Sequence, residues 1–378
     1  MLVKILSMHR VVNYGSFMQA YALRRLVESM NAQCVFADFA PGLPRHKGVK
    51  VHVDSIFKKM LKLPRFLLNI SSQLEKRRFH AKMQAVFKRE AWPLLGMTER
   101  MDFDYSADLL IVGSDEVFNY TQNHIFGYVP VLFGHGVTAR RLISYAASAG
   151  YASLADVKND EMFDELRGGL GKFDNISVRD ENTKEMVVGV LGKKPILVVD
   201  PTLLYDFSKE IPKLPQRSDK YLLVYAYEGR MESPEEVDKI KDFARSRKLK
   251  IVSPGFFHAW CDENVVVSPF ELLAYFQNAE FVITDTFHGS IFAIKARKTF
   301  VTLIREQSKW GGNASKVGFL LEQLKLSHRV IGAMDELPAM MNKEVDYLMT
   351  DEALAYWKGQ SFGFLNTEVD AARQGASH

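Results

Sequence analysis

Short runs of apolar, often β-branched residues alternate along the chain with stretches whose apolar positions recur at helical spacing. Residues 2–8 predict a buried strand, followed by a polar loop and an amphipathic helix over 16–30. Further strands are expected at 34–39, 109–112, 142–146, 176–178 and 196–199, with helices over 159–170 and 181–188. The texture changes after Thr202. Residues 207–220 hold Pro212, Pro215 and scattered charges without periodicity, which reads as a linker. A second series then alternates strands at 221–225, 250–252, 265–267, 281–284 and 299–303 with helices at 234–247, 270–278 and 290–296. Strands alternating with helices imply crossover units and parallel sheets. The chain is therefore expected to be α/β, with two Rossmann-like domains facing a cleft. The first would span residues 1–205 and the second 221–350, joined by a linker at 206–220 and followed by a helix and tail at 351–378.

Composition narrows the partners more than the fold. With 47% hydrophobic and 25% charged residues, the 378-residue chain is ordinary for a globular protein and unlike a disordered or coiled-coil one. Its formal charge of +4 is too small to argue for nucleic acid, and none is expected. Cys34 and Cys261 are far apart and lack metal-ligand spacing, so neither a disulfide framework nor a cysteine zinc site is expected, and a reducing cytoplasm fits best. The opening MLVKILSMHR lacks the parts of a signal peptide, and no run approaches the ~18 apolar residues of a membrane span. A soluble or peripheral protein is expected.

One segment departs from this balance. Between Arg45 and Glu90 stand thirteen Lys and Arg but three acidic residues, a formal +10, so the rest of the chain sums to −6. Residues 56–63 interleave bulky apolar and basic side chains. A helical insertion with a solvated face is the plain reading; a basic amphipathic surface resting on anionic lipid is the sharper one, with Lys58, Lys59 and Lys62 in its centre.

Candidate chemistry gathers at the ends of predicted strands, where open parallel sheets bind ligands. After the strand at 281–284 comes Asp285-Thr286-Phe287-His288-Gly289-Ser290, with a helix expected from Gly289 or Ser290. First-turn amides there would suit a phosphate or carboxylate, and His288 could donate to it or move a proton; an N-capping turn is the competing reading. After 109–112 comes Gly113-Ser114-Asp115, where Asp115 could bind a hydroxyl or act as a base, or else cap a helix. Asn13-Tyr14-Gly15 lies in the first loop. Arg179 directly follows the strand at 176–178, placed to clamp an anion or to pair with Asp180, Glu181 or the other domain. No Walker loop, His-Glu-x-x-His or Gly-x-Ser-x-Gly is present.

In order, these pieces resemble the polysaccharide pyruvyl transferase family. The matching segments are Asn13-Tyr14-Gly15 with Gln19-Ala20-Tyr21-Ala22-Leu23, then Gly113-Ser114-Asp115-x-Val117-x-Asn119, Tyr145-Ala146-Ala147-Ser148 and Ser177-Val178-Arg179. Asp200-Pro201-Thr202 and Asp285-Thr286-Phe287-His288-Gly289 complete the set. The resemblance implies a two-domain fold like that of GT-B glycosyltransferases, and transfer of pyruvate from phosphoenolpyruvate onto two hydroxyls of a sugar as a cyclic ketal. It implies a saccharide acceptor, lipid-linked or not, and no metal or redox cofactor. The resemblance assigns Arg179 and His288 to the donor; taken with the strand-end reading, His288 and Asp115 are expected to be catalytic, and Arg179, Asn13, Tyr14, Gly15, Ser114, Thr286, Gly289 and Ser290 to bind substrate. Several relatives carry a second arginine where this chain has Thr286, so either the donor differs or another cation serves it, with Arg305 and Lys309, after the strand at 299–303, nearest by sequence. Glu116 and Phe118 also replace the Gln and Trp common in that motif. Two other readings are a GT-B glycosyltransferase using a nucleotide sugar, and an inactive sugar- or lipid-binding partner in polysaccharide assembly.

Overall fold

The structure, a computed structural model, describes residues 1–47, 63–122, 126–305 and 312–375. Lys58, Lys59, Lys62 and Lys309 lie outside them.

Two six-stranded, wholly parallel sheets carry the chain. The first holds β1 (Leu2–Leu6), β2 (Gln33–Phe36), β3 (Leu109–Gly113), β4 (Leu142–Ala147), β5 (Asn175–Val178) and β6 (Ile196–Leu197) in the order β2-β1-β3-β4-β5-β6. The second holds β7 (Tyr221–Tyr225), β8 (Lys250–Pro254), β9 (Glu263–Val265), β10 (Phe281–Thr284), β11 (Thr299–Leu303) and β12 (Val330–Ile331) in the order β12-β11-β10-β7-β8-β9. The central strands β3, β4 and β7 are buried at every position. That is why their sequences read as continuous apolar runs: helices cover both faces of a parallel sheet. The two Rossmann-like units expected from the alternating pattern are present.

Strand order locates the cleft. In the first sheet the chain lays β2 on one side of β1 and then crosses to β3 on the other. In the second it builds β8 and β9 outward from β7, then returns to place β10 against β7's other edge. Each reversal opens a crevice at the carboxyl ends of its two central strands. The segments that begin there are 7–16 and 114–119 in the first unit, and 226–230 and 285–290 in the second.

One apolar cluster runs through both units. From the helix Tyr14–Ser29, Phe17 and Tyr21 pack on Phe270 of the second unit, with ring centroids 5.9 and 5.1 Å apart. The helix Leu348–Gln374 returns from the second unit to the first. Its Glu368 accepts from Arg141 Nη2 at 2.6 Å and Asn175 Nδ2 at 2.7 Å, and its Ser361 Oγ accepts the Val199 amide at 2.9 Å.

Two expected helices differ. The helix expected over 159–170 is two, Leu154–Asn159 and Phe163–Leu170. Between them Glu161 takes a left-handed φ of 60°, and Asp160 turns inward to accept from Tyr120 and His46. Within the basic segment, the helix Leu63–Val86 docks on the second unit. Its Lys76 and His80 reach Glu228 at 2.7 and 3.0 Å, and Phe79 is buried against Phe257, rings 5.8 Å apart. Lys88 and Arg89 pair with Glu99 and Glu90. This end of the segment is therefore partly committed to the protein, not a uniformly free cationic face.

Candidate active site

Asp200 is the hub of the cleft. It caps the short helix Pro201–Leu204, where Pro201 presets the first turn and Asp200 Oδ1 accepts from the Thr202 amide and hydroxyl. Its other oxygen accepts from Arg179 Nη1 at 2.6 Å and Ser114 Oγ at 2.9 Å, and lies 3.7 Å from His288 Nε2. The residue is 1% exposed. Burial alone would raise its carboxyl, but the His288 and Arg179 contacts outweigh it and hold the group far below the usual carboxylate range. The side chain is a fixed anion around which a cation and an imidazole are set.

Arg179 leaves the end of β5 and is buried, with Nη2 3.7 Å from Asp115 and its guanidinium carbon 4.4 Å from the Phe287 ring centroid. His288 is also buried, stacked on Phe292 at 6.1 Å. Among the described residues, Arg179 Nε and His288 Nε2 are buried atoms with no hydrogen-bond partner. His288 Nε2 keeps its 3.7 Å ion-pair contact with Asp200, and Arg179 Nη1 its hydrogen bond to the same carboxylate, so both side chains are held on Asp200.

Gly15 sets the position of His288. A Cβ built on Gly15 would stand 2.1 Å from His288 Nδ1 and 2.6 Å from its Cγ, so only glycine lets the imidazole lie against the first turn of that helix. Asn13 caps the helix by accepting the Ser16 amide at 3.2 Å. Tyr14 is spent between the units: its hydroxyl donates to the Val267 carbonyl at 2.8 Å, and its ring packs over Gly255.

The turn after β3 is strained in a way that aims its side chains. Ser114 and Asp115 both take positive φ, 41° and 68°, a conformation non-glycine residues rarely adopt. Ser114 is thereby directed at Asp200. Asp115 faces the first loop, where Ser16 Oγ donates to it at 2.5 Å. Glu116 follows and pairs with Lys316 of the helix Gly312–Gln323.

The helix carrying His288 starts earlier than expected, at Phe287, with Thr286 as its N-cap. Thr286 Oγ1 accepts the Gly289 amide at 2.9 Å, and Ser290 Oγ donates back to the Thr286 carbonyl at 3.0 Å. A Cβ on Gly289 would fall 2.2 Å from Thr284 Oγ1. In this arrangement Thr286, Gly289 and Ser290 build the turn that presents His288. Arg305 is engaged with Glu236 and lies 3.9 Å from Asp285. Arg230, which was not singled out in the sequence, approaches the same Asp285 carboxylate at 3.4 Å. Burial raises the Asp285 carboxyl despite both arginines.

Asp200, Arg230 and Lys316 are thus absent from the sequence-derived set of site residues. For Asp200 a signal existed in Asp-Pro-Thr, a helix start directly after a strand. Lys316 had none, because its partner is 200 residues away. A separate cavity of about 220 Å³ lies behind the linker, among Phe207, Leu273, Phe292 and Lys295. It adjoins the far end of the His288 helix and is not part of the cleft. Burial lowers the Lys295 ammonium there to about 8, and it donates to the Tyr205 carbonyl. Among the described residues no group of three or more His, Cys, Asp or Glu is placed to hold a metal ion, and no helix is long and apolar enough to cross a membrane.

Two parallel α/β units meet over a buried Arg–Asp–His cluster. The polysaccharide pyruvyl transferase family model matches residues 13–307, more than three quarters of the chain, and the chain belongs to that family. Similar solved structures include the glycotransferase of kitacinnamycin (12% identity, covering 100% of this chain and 98% of that one, TM-score 0.49). Arabidopsis thaliana UGT89C1 complexed with UDP is another (10% identity, 98% and 99% covered, TM-score 0.49). Among curated proteins none matches the sequence.

Proposed function

We propose that the protein transfers pyruvate from phosphoenolpyruvate onto two hydroxyls of one sugar, in a polysaccharide or its lipid-linked precursor, and closes a cyclic ketal. The observation that carries this reading is the buried guanidinium and imidazole of Arg179 and His288, both held on Asp200, within a protein of this family. A small donor bearing a carboxylate and a phosphate suits a guanidinium beside an imidazole. In this reading Arg179 holds the donor's anionic end. His288 delivers a proton to the donor's methylene carbon, which leaves C2 electron-poor. Asp115, held by Ser16 and near Arg179, takes the proton of the first sugar hydroxyl as it attacks C2; the C2–O bond to phosphate then breaks, and the second hydroxyl closes the ring by bonding to C2 and giving its proton to the departing phosphate. The chemistry calls for no metal or redox cofactor. An acceptor carried on a membrane lipid would put the protein at the cytoplasmic face of a membrane.

The test is incubation with phosphoenolpyruvate and a panel of lipid-linked saccharides, following phosphate release and the mass of the ketal product. Product is expected with the native protein, and His288→Ala should abolish it while melting normally. Turnover of nucleotide sugars in place of phosphoenolpyruvate would refute the reading, and normal turnover by His288→Ala would remove His288 from the mechanism.

A further inference from the structure

The cavity of about 220 Å³ behind the linker lies where the chain passes between its two units. Phe207 and Ile211 of the linker line it, as do Leu354 and Lys358 of the helix Leu348–Gln374, which returns to the first unit. Phe292 and Lys295 enter from the end of the His288 helix. Both crossings of the chain therefore border one space.

Its charges do not cancel. Of the charged residues that line it, Arg297 and Asp351 pair with each other through two contacts of 2.9 Å. That leaves Lys295 and Lys358 against Asp206, whose carboxylate also accepts from the Ser208 amide at 3.0 Å and the Ser208 hydroxyl at 2.9 Å. Among the described residues neither lysine forms a salt bridge, and the one hydrogen bond of Lys295 goes to the Tyr205 carbonyl at 2.7 Å. An ammonium has three donors, so both keep some to spare. Burial first, and then the charge of Lys358, bring Lys295 down to about 8, so the two ammoniums stand close enough to disfavour each other. What the space lacks is an anion. Its size limits what carries that anion: about 150 Å³ suffices for a benzene ring, and pockets for drug-sized ligands begin at about 300 Å³. One apolar ring bearing one anionic group fits between these bounds, with Phe207, Leu273, Phe292 and Leu354 to pack on it.

We propose that this cavity is a binding site, separate from the transfer cleft, for a small carboxylate carried on an apolar ring and held by Lys295 and Lys358, and that its occupant is felt at His288. The route is short. Phe292 lines the cavity and stacks on His288, rings 6.1 Å apart. Phe207 lines it too, and its ring lies 6.4 Å from that of Tyr21, on the helix Tyr14–Ser29 that sets Gly15 against His288. The two helices that meet at Gly15 and His288 are thus both reached from this one space.

Calorimetric titration of the full-length protein with benzoate, beside benzamide as its uncharged counterpart, tests the site. Benzoate should bind at least about ten-fold more tightly than benzamide, the scale of one charge-assisted hydrogen bond. Lys358→Met, on a half-buried helix face, should weaken benzoate about ten-fold with the melting temperature unchanged. Leu354→Trp fills the space while keeping both lysines, and should abolish binding. In spectra of ring-labelled histidine, the His288 signal, identified by its loss in His288→Ala, should shift on benzoate in the native protein and stay still in Leu354→Trp. No saturable binding, equal affinity for benzamide, or an affinity that neither substitution alters overturns the site. Displacement of benzoate by phosphoenolpyruvate with native affinity in Lys358→Met would place it in the cleft and overturn the site equally. Binding that leaves the His288 signal unmoved overturns the link to the cleft. Each of these results leaves the pyruvyl-transfer reading standing, since that reading is judged by phosphate release and the ketal product.

Discussion

Replacing Gly15 with alanine sets two effects of opposite sign against each other. Alanine is the better helix former by up to about 1 kcal/mol, so the substitution should stabilise the helix Tyr14–Ser29. Its methyl carbon, however, would fall 2.1 Å from His288 Nδ1, 2.6 Å from Cγ and 2.8 Å from Cε1. Ordinary contact needs about 3.4 Å, so the imidazole and the helix must part by more than about 1 Å. His288 is buried against Phe292, with little room to yield, and overpacking of this kind costs about 1–3 kcal/mol. The clash should win by about 0–2 kcal/mol, a loss of up to roughly 8 °C in melting temperature for a unit of this size. The effect on transfer should be larger, because a misplacement of about 1 Å costs on the order of a hundred-fold in rate. Phosphate release from phosphoenolpyruvate and a thermal melt read the two quantities separately. The His288→Ala background supplies the control: the three atoms nearest the added methyl all belong to His288, so there Gly15→Ala should raise the melting temperature. Native turnover in Gly15→Ala, or an equal loss of stability with and without the imidazole, would refute the claim that this glycine sets the histidine's position.

Three shorter tests probe neighbouring parts of the cleft. Arg179→Lys keeps a charge beside Asp200 but loses the fork, and should raise the apparent KM for phosphoenolpyruvate at least about ten-fold in steady-state kinetics; an unchanged KM would make Arg179 purely structural. Thr286→Ala removes an N-cap, and should cost about 0.5–2 kcal/mol in chemical denaturation with little change in donor affinity, whereas a loss of affinity without a loss of stability would make Thr286 a donor ligand. Burial would raise the Glu116 carboxyl, but Lys316, Asn119 and Arg179 hold it down at about 2. A depressed carboxyl stabilises the fold above its unfolded value of about 4.5, and that contribution fades as pH falls toward 2. The melting-temperature gap between the native protein and Glu116→Gln should therefore narrow from pH 5 to pH 2, and a gap that is flat or widens would contradict the assignment.

What could be read from the sequence was what is local to it. The strands 221–225, 281–284 and 299–303 appear with the boundaries their apolar runs suggest, because a strand covered on both faces must be apolar at nearly every position. The start of the His288 helix was misplaced by two or three residues. The reason is that Thr286 looks like part of a polar loop until its hydroxyl is seen on the Gly289 amide. The helix Leu348–Gln374 was expected only as a terminal helix, and nothing in its spacing indicated that it returns to pack on the first unit, since that depends on partners such as Arg141 more than 200 residues away. The same holds for the site. Ser114, Asp115, Arg179 and His288 all stand within four residues of a strand's carboxyl end, and a parallel sheet gathers its strand ends, so each could be found one at a time. What ties them together could not, because Asp200 touches residues from three different strand ends and His288 meets Gly15 from the other unit. The chemistry of this cleft is therefore a property of how the two sheets' switch points face each other, and a variant that shifts one unit against the other should disturb transfer even where every residue of the Arg179–Asp200–His288 cluster is retained.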